Sequence, residues 1–122
     1  SLSDKWRGWA EIEEKLRAAA ISDFVIVLYN CWRNYEKAVD IVREERTDDA
    51  LVAIVNDAGR DEAGRNGESH VITTLGEATA YDDKVSGMGT SLIIGNHETE
   101  TWSNDYRTFL VTPRGGRDVE DF

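Results

Sequence analysis

Apolar residues gather into three short runs, each ending on a polar or glycine residue. Phe24–Leu28 leads into Tyr29 and Asn30, Leu51–Val55 into Asn56, and Leu92–Ile94 into Gly95 and Asn96. Runs of this length, rich in Val and Ile, read as buried strands. Two more follow, His70–Thr74 and Phe109–Val111, the latter stopped by Pro113. The first run is continuous rather than alternating, which argues for burial on both faces in a sheet covered by helices. Between the strands the period changes. Trp9, Ile12, Leu16, Ala19 and Ala20 recur at helical spacing and predict a helix over 9–20. Glu13 and Arg17 form a favourable i,i+4 pair within it. Tyr35, Ala38, Val39 and Val42 predict a second helix ending near Glu45.

Strand, helix, strand at this spacing is a βαβ unit. Phe24–Leu28 and Leu51–Val55 are therefore expected to be parallel neighbours with a right-handed crossover. A third, short helix is expected near Gly76–Asp82. The stretch Asp57–Ser69 holds Gly59, Gly64, Asn66, Gly67 and many charges, and reads as a mobile, turn-rich loop. Val85–Gly89 reads as loop, and the tail beyond Arg114 as frayed. The expected architecture is a single α/β domain over 1–122: three layers, α/β/α, on a mixed, mainly five-stranded sheet.

Open α/β sheets bind ligands at strand ends. Asn30 and Asn56 are placed to project at one sheet edge, where an amide offers donors and an acceptor. Ala58 and Gly59 let backbone approach a ligand closely, and Tyr29 and Leu75 supply a flat apolar wall for a purine. The same asparagines also suit helix and turn caps, and spacing alone leaves both readings open.

The net charge is −10, from 24 acidic and 14 basic residues. Such a surface repels phosphate backbones, which argues against nucleic-acid binding. The acids are scattered, which reads as a solvated surface suited to high salt rather than as a docking face for a cationic partner. No apolar stretch approaches the ~18 residues of a membrane span, and there is no signal-peptide pattern. The one cysteine, Cys31, fits a reducing cytoplasm and reads as a small loop residue. Trp6 and Trp9 read as packing residues at a helix start. No nucleophile elbow, zinc signature or phosphate-binding loop is present, and Asp48–Asp49 and Asp82–Asp83 read as solvated pairs, so no metal site is expected.

Six segments in order carry a family likeness: Ser1–Asp4, Asp23–Asn30, Val52–Arg60, Val71–Glu77, Ile93–Asn96 and Val111–Gly115. Together they resemble the tetrapyrrole methylases, most of all their precorrin-3B C(17)-methyltransferase branch, and only the C-terminal half of a family member. The resemblance implies a two-domain enzyme that holds S-adenosylmethionine in a cleft between its domains, with a precorrin or cobalt-precorrin substrate beside it. Carried over, the cofactor contacts match Tyr29, Asn30, Asn56, Ala58, Thr73 and Thr74. Arg33, Arg60 and Arg114 match positions suited to the substrate's carboxylates, and no catalytic side chain is assigned. The resemblance also implies an N-terminal domain as partner, and a homodimer. Cys31 departs from the family's usual Pro, and Trp32–Asn34 stands where a longer Arg/Lys-rich insert is common. A different class of function stays open beside this one: a stand-alone nucleotide-binding or regulatory α/β domain, or a purely structural dimerisation module.

Overall fold

The computed structural model describes residues 2–3, 8–56, 69–85 and 89–113. Its elements in chain order are β1 (Leu2–Ser3), α1 (Trp9–Ile21), β2 (Ile26–Tyr29), a 3₁₀ turn (Cys31–Arg33), α2 (Tyr35–Arg43), β3 (Leu51–Asn56), β4 (Ser69–Thr74), a 3₁₀ segment (Leu75–Lys84), β5 (Thr90–Ile94), β6 (Glu100–Ser103) and β7 (Thr108–Val111). Both long helices fall where the apolar stripes place them, and the short third helix appears in 3₁₀ form.

The main sheet has five strands in the order β1-β2-β5-β3-β4, and β6 and β7 form a separate two-stranded sheet. β1 runs parallel to β2, while β5 lies antiparallel to both β2 and β3, and β4 antiparallel to β3. Two sequence expectations are corrected here. β2 and β3 do point the same way, but β5 is inserted between them, so they are not neighbours. The run Phe109–Val111 pairs with β6 instead of joining the main sheet, whose fifth strand is β1. β2 also begins later than its apolar run, at Ile26, and leaves Phe24 and Val25 exposed.

Strand order explains where the helices go. The crossovers β1-α1-β2 and β2-α2-β3 move the same way across the sheet. The crossover from β4 to β5 moves the opposite way between strands of opposite direction, so it has the same sense. Right-handed crossovers then place α1, α2 and the 3₁₀ segment on one face. The core agrees: Ile12, Leu16, Val39, Val42, Leu75 and Ala78 meet Ile26, Leu28, Val52, Ile54, Leu92 and Ile94 in one buried cluster. These strand residues alternate with Val27, Ala53, Val55 and Ile93, which face the other way. The class is α/β with a mixed five-stranded sheet, as expected. Of the three expected layers, the described residues form the sheet and one helical layer.

α1 ends in a Schellman motif. Phe24 N–H bonds the Ala19 carbonyl at 3.3 Å and Asp23 N–H the Ala20 carbonyl at 3.4 Å. The left-handed position that favours Gly is held by Asp23, at φ 59°. Its carboxylate accepts a bond from His97 N–H at 3.1 Å and a second from the His97 ring. α1 has no basic residue in its last turn. Arg46 supplies the missing cation from beyond α2, bonding the carbonyls of Ala20 at 3.3 Å, Ala19 at 3.1 Å and Gly95 at 2.8 Å, and that of Phe24. Burial draws the Arg46 guanidinium below its ordinary value, against the pull of Asp23.

Candidate functional site

β2 and β3 end at the same end of the sheet. Tyr29 and Val55 both pair with Ser91, and Asn56 pairs with Thr90. The expected juxtaposition of Asn30 and Asn56 at one edge therefore holds, across the width of β5 rather than between neighbours.

The two asparagines differ in what they have left to offer. Asn30 follows β2 in the left-handed region, at φ 53° and ψ 39°, and its side chain makes no capping bond to the 3₁₀ turn that it opens. Asn is among the few residues that take this conformation readily. Its amide has no hydrogen bond among the described residues. Tyr29 beside it is 49% exposed, on the sheet face opposite to Leu28. Asn56, by contrast, is buried. Its Nδ2 donates to the Lys84 carbonyl at 2.6 Å and to Ser69 Oγ at 3.4 Å, while its Oδ1 accepts from Thr90 Oγ1 at 2.7 Å. Both amide hydrogens are spent on the fold. Asn56 ties β3, β4, β5 and the 3₁₀ segment together, and Thr90, which bonds it, is fully buried.

Thr73 and Thr74 are not brought to this edge. β4 runs antiparallel to β3, so Thr73 pairs with Val52 and Thr74 with Leu51, at the far end of the sheet. From Val52 to Asn56 along β3 is about 13 Å at the usual rise of a strand. Leu75 is also far from the edge. It is fully buried, and its N–H bonds the Ala50 carbonyl at 2.8 Å, so it forms no wall for a ligand at Asn30. Ala58, Arg60 and Arg114 lie outside the described residues, as do most of the 57–69 loop, Trp6 and the tail.

Next to Asn30, the 3₁₀ turn and the start of α2 shape a groove of about 350 Å³ lined by Trp32, Arg33, Tyr35, Glu36, Lys37 and Val85. Tyr35 anchors its floor through a bond from its hydroxyl to the Ala78 carbonyl at 2.5 Å. The Arg33 guanidinium lies over the Trp32 ring, 4.9 Å from its centroid. Cys31 is a buried free thiol, 3.9 Å from the Thr90 carbonyl. That contact gives it a packing role under the edge. Periodicity did not single out Trp32 or Lys37 as site residues, because the groove exists only once the turn brings Val85 against α2.

A second hollow of about 550 Å³ lies at the other end of the sheet, with Asp23, Arg46, Asn96 and His97 among its walls. The hydrogen bond and charge of Asp23 hold the His97 ring above the usual histidine range. Partial burial opposes the reciprocal effect, yet the bonds from His97 hold the Asp23 carboxyl below its own range. Among the described residues no group of His, Cys, Asp and Glu is arranged to hold a metal ion. No helix among them is long and apolar enough to cross a membrane.

No family model matches the chain. The chain is 36% identical over 120 residues to "Cobalamin biosynthesis protein CbiHC" of Archaeoglobus fulgidus, covering 94% of this chain and 24% of that protein. It is 38% identical over 121 residues to "Precorrin-3B C(17)-methyltransferase" of Sinorhizobium sp, covering 93% of this chain and 44% of the relative. The chain thus spans under half the length of these curated relatives. Among solved structures, the methyltransferase CobJ superposes on 93% of this chain and 46% of its own, with a TM-score of 0.70 at 22% identity, which shows the shared fold. This fold and these relatives identify the chain as a member of the tetrapyrrole methylase family.

Proposed function

We propose that the chain is part of an S-adenosylmethionine-dependent methyltransferase that acts on a precorrin or cobalt-precorrin intermediate of cobalamin biosynthesis. The observation that most supports this is the likeness, over nearly the whole chain, to proteins named as C(17)-methyltransferases. In this reading the edge at Tyr29 and Asn30 forms one wall of the cofactor cleft, and an N-terminal domain forms the other. The unspent Asn30 amide and the exposed Tyr29 ring fit the polar edge and the flat face of an adenosyl group. Asn56 serves the same site by fixing the strand ends. When bound, S-adenosylmethionine supplies an electrophilic methyl on its sulfonium and leaves as S-adenosylhomocysteine. The contribution of the chain is placement, which alone accounts for several kcal/mol in well-oriented transfers. Arg33 belongs to the substrate side, and Ala58, Thr73, Thr74, Arg60 and Arg114 remain in the proposal on the family resemblance alone.

The test uses the protein that carries this chain, given S-adenosylmethionine with precorrin-3B or cobalt-factor III. Methylated tetrapyrrole and S-adenosylhomocysteine are expected in equal amounts, and Asn30→Ala is expected to raise the KM for S-adenosylmethionine above that of the parent. Failure to methylate either tetrapyrrole overturns the reading. A homodimer and a cytoplasmic setting belong to the same proposal. The first is supported by exposed Trp102, Tyr106 and Phe109 on the β6–β7 hairpin, and the second by the buried free thiol of Cys31. Sedimentation over a range of concentrations is expected to show the dimer, and a strictly monomeric species refutes it.

A further inference from the structure

Asn30 holds a conformation that its own side chain does not fix. Its φ of 53° is left-handed, and its amide makes no capping bond to the turn it opens. Asn tolerates that region, but nothing within the residue selects it over the extended or right-handed ones. The register of β2 with β5 ends at Tyr29 and Ser91, so Asn30 is also the first residue past the ladder. The next residue is anchored again. Cys31 is buried, and its Sγ donates to the Thr90 carbonyl, 3.9 Å away on β5. Thr90 Oγ1 donates to Asn56 Oδ1 at 2.7 Å, and Asn56 Nδ2 to the Lys84 carbonyl at 2.6 Å. These contacts form one line, from the 3₁₀ segment through β3 and β5 to the turn after β2.

From this line of contacts we infer that Cys31 is a positioning residue for the cofactor contact: its thiol, bonded to the Thr90 carbonyl, holds Asn30 in the left-handed conformation that presents its amide at the edge. The ladder fixes the chain up to Tyr29, and the thiol fixes it again from Cys31. Only the two backbone angles of Asn30 are left to join these fixed points, and a single left-handed residue makes that sharp change of direction. A thiol is a weak donor. Its bond still matters here, because a buried group has no water to turn to when its partner is lost. Cys31 itself touches neither cofactor nor substrate in this scheme and acts through Asn30. The inference rests on the methylase reading for what the amide binds, whereas the conformation of Asn30 can be measured without it.

The experiment has two readouts on three variants. Cys31→Ser keeps a donor, Cys31→Val fills the space without one, and Cys31→Ala does neither. The first readout is the φ of Asn30 in this chain, from the coupling and the close contact between its amide and α protons. A positive φ is expected in the unsubstituted chain and in Cys31→Ser, and averaging with other regions in Cys31→Val and Cys31→Ala. The second readout is kinetic, in the whole protein that carries the chain. The KM for S-adenosylmethionine is expected to rise about threefold or more in Cys31→Val and Cys31→Ala, with the tetrapyrrole KM unchanged, and to stay near the parent in Cys31→Ser. If Cys31→Ala does not fold, Cys31→Val carries the comparison. A thiol that only packs would lower the unfolding midpoint on substitution and leave the φ of Asn30 and this KM in place, and that result overturns the inference. Equal effects of Ser and Ala overturn it too. A parent protein that transfers no methyl group overturns the methylase reading, while the φ of Asn30 still decides the role of Cys31.

Discussion

Asn56→Ala is the substitution that best separates a residue that builds the site from one that binds a ligand. Three hydrogen bonds disappear together: Nδ2 to the Lys84 carbonyl at 2.6 Å, Nδ2 to Ser69 Oγ at 3.4 Å, and Thr90 Oγ1 to Oδ1 at 2.7 Å. The Ser69 bond is long, and Ser69 is exposed, so water replaces it at little cost. Thr90 is fully buried, and its hydroxyl loses this acceptor. Loss of a buried hydrogen bond costs about 0.5–1.5 kcal/mol, and loss of the short bond to Lys84 costs about as much again. The expected destabilisation is about 1–3 kcal/mol. Thr90→Val on its own removes the hydroxyl but leaves the Asn56 bond to Lys84, and should cost less. Both single variants break the same bond between Thr90 and Asn56, so the loss in the double variant should fall short of the sum of the single losses by about 1 kcal/mol. Urea unfolding of the parent and the three variants measures this cycle. If Asn56→Ala stays within about 0.5 kcal/mol of the parent, or the cycle is additive, the side chain is not the tie described and is free for a ligand.

Further predictions concern the opposite end of the sheet. Arg46→Ala should cost about 2–4 kcal/mol in urea unfolding, because carbonyls at the end of α1 and at Gly95 lose their donor in a part-buried place, and Arg46→Lys should recover only part of this. Gly95→Ala should destabilise by about 1–3 kcal/mol, since an added Cβ would meet the Thr99 Cβ at 2.6 Å while Thr99 Oγ1 is engaged at 2.9 Å by Asn96 N–H; an unchanged melting temperature would refute the contact. The Asp23–His97 pair sets a pH window. His97 is raised, so its contribution is whole below the ordinary histidine value of about 6.5 and is lost as pH rises through the higher folded value. Asp23 is lowered, so its contribution is whole above the ordinary carboxylate value of about 3.9 and is lost as pH falls through the lower folded value. Melting temperature against pH should therefore lose this shape in His97→Ala, and an unaltered profile would show that the pair is not coupled to folding.

Much of the fold was legible along the chain because burial has a period. The stripes Ile12, Leu16, Ala20 and Tyr35, Ala38, Val39, Val42 mark both long helices to within a turn of their ends. The apolar runs mark β2, β3, β4, β5 and β7. β6 has no such signal, since all its residues are exposed. Which strands lie side by side was not legible. That depends on β5 entering between β2 and β3, a pairing made across some sixty residues of chain near β2, which no local period reports. The same gap hid the direction of β4, and with it the distance of Thr73 and Thr74 from Asn30. Asn56 was ambiguous for a different reason: an amide at a strand end looks the same in sequence whether its hydrogens meet a ligand or the Lys84 carbonyl. The family resemblance, resting on six segments in order, read the fold and family well.

The position of β5 has a consequence for how the chain reaches its fold. β5 holds the middle of the sheet, bonded to β2 on one side and β3 on the other, yet it is the last of the five strands to leave the ribosome. Until it emerges, β2 and β3 have no bonded partner in common, and the sheet exists only as two separate flanks. The apolar faces of α1 and α2 then wait for Leu92 and Ile94 to complete the surface they cover. Such a topology couples the two flanks into one late, cooperative event dominated by non-local contacts, which folds slowly and leaves strand edges open meanwhile. A chain cut before Thr90 loses the centre of its sheet, whereas one cut after Ile94 retains every strand of it.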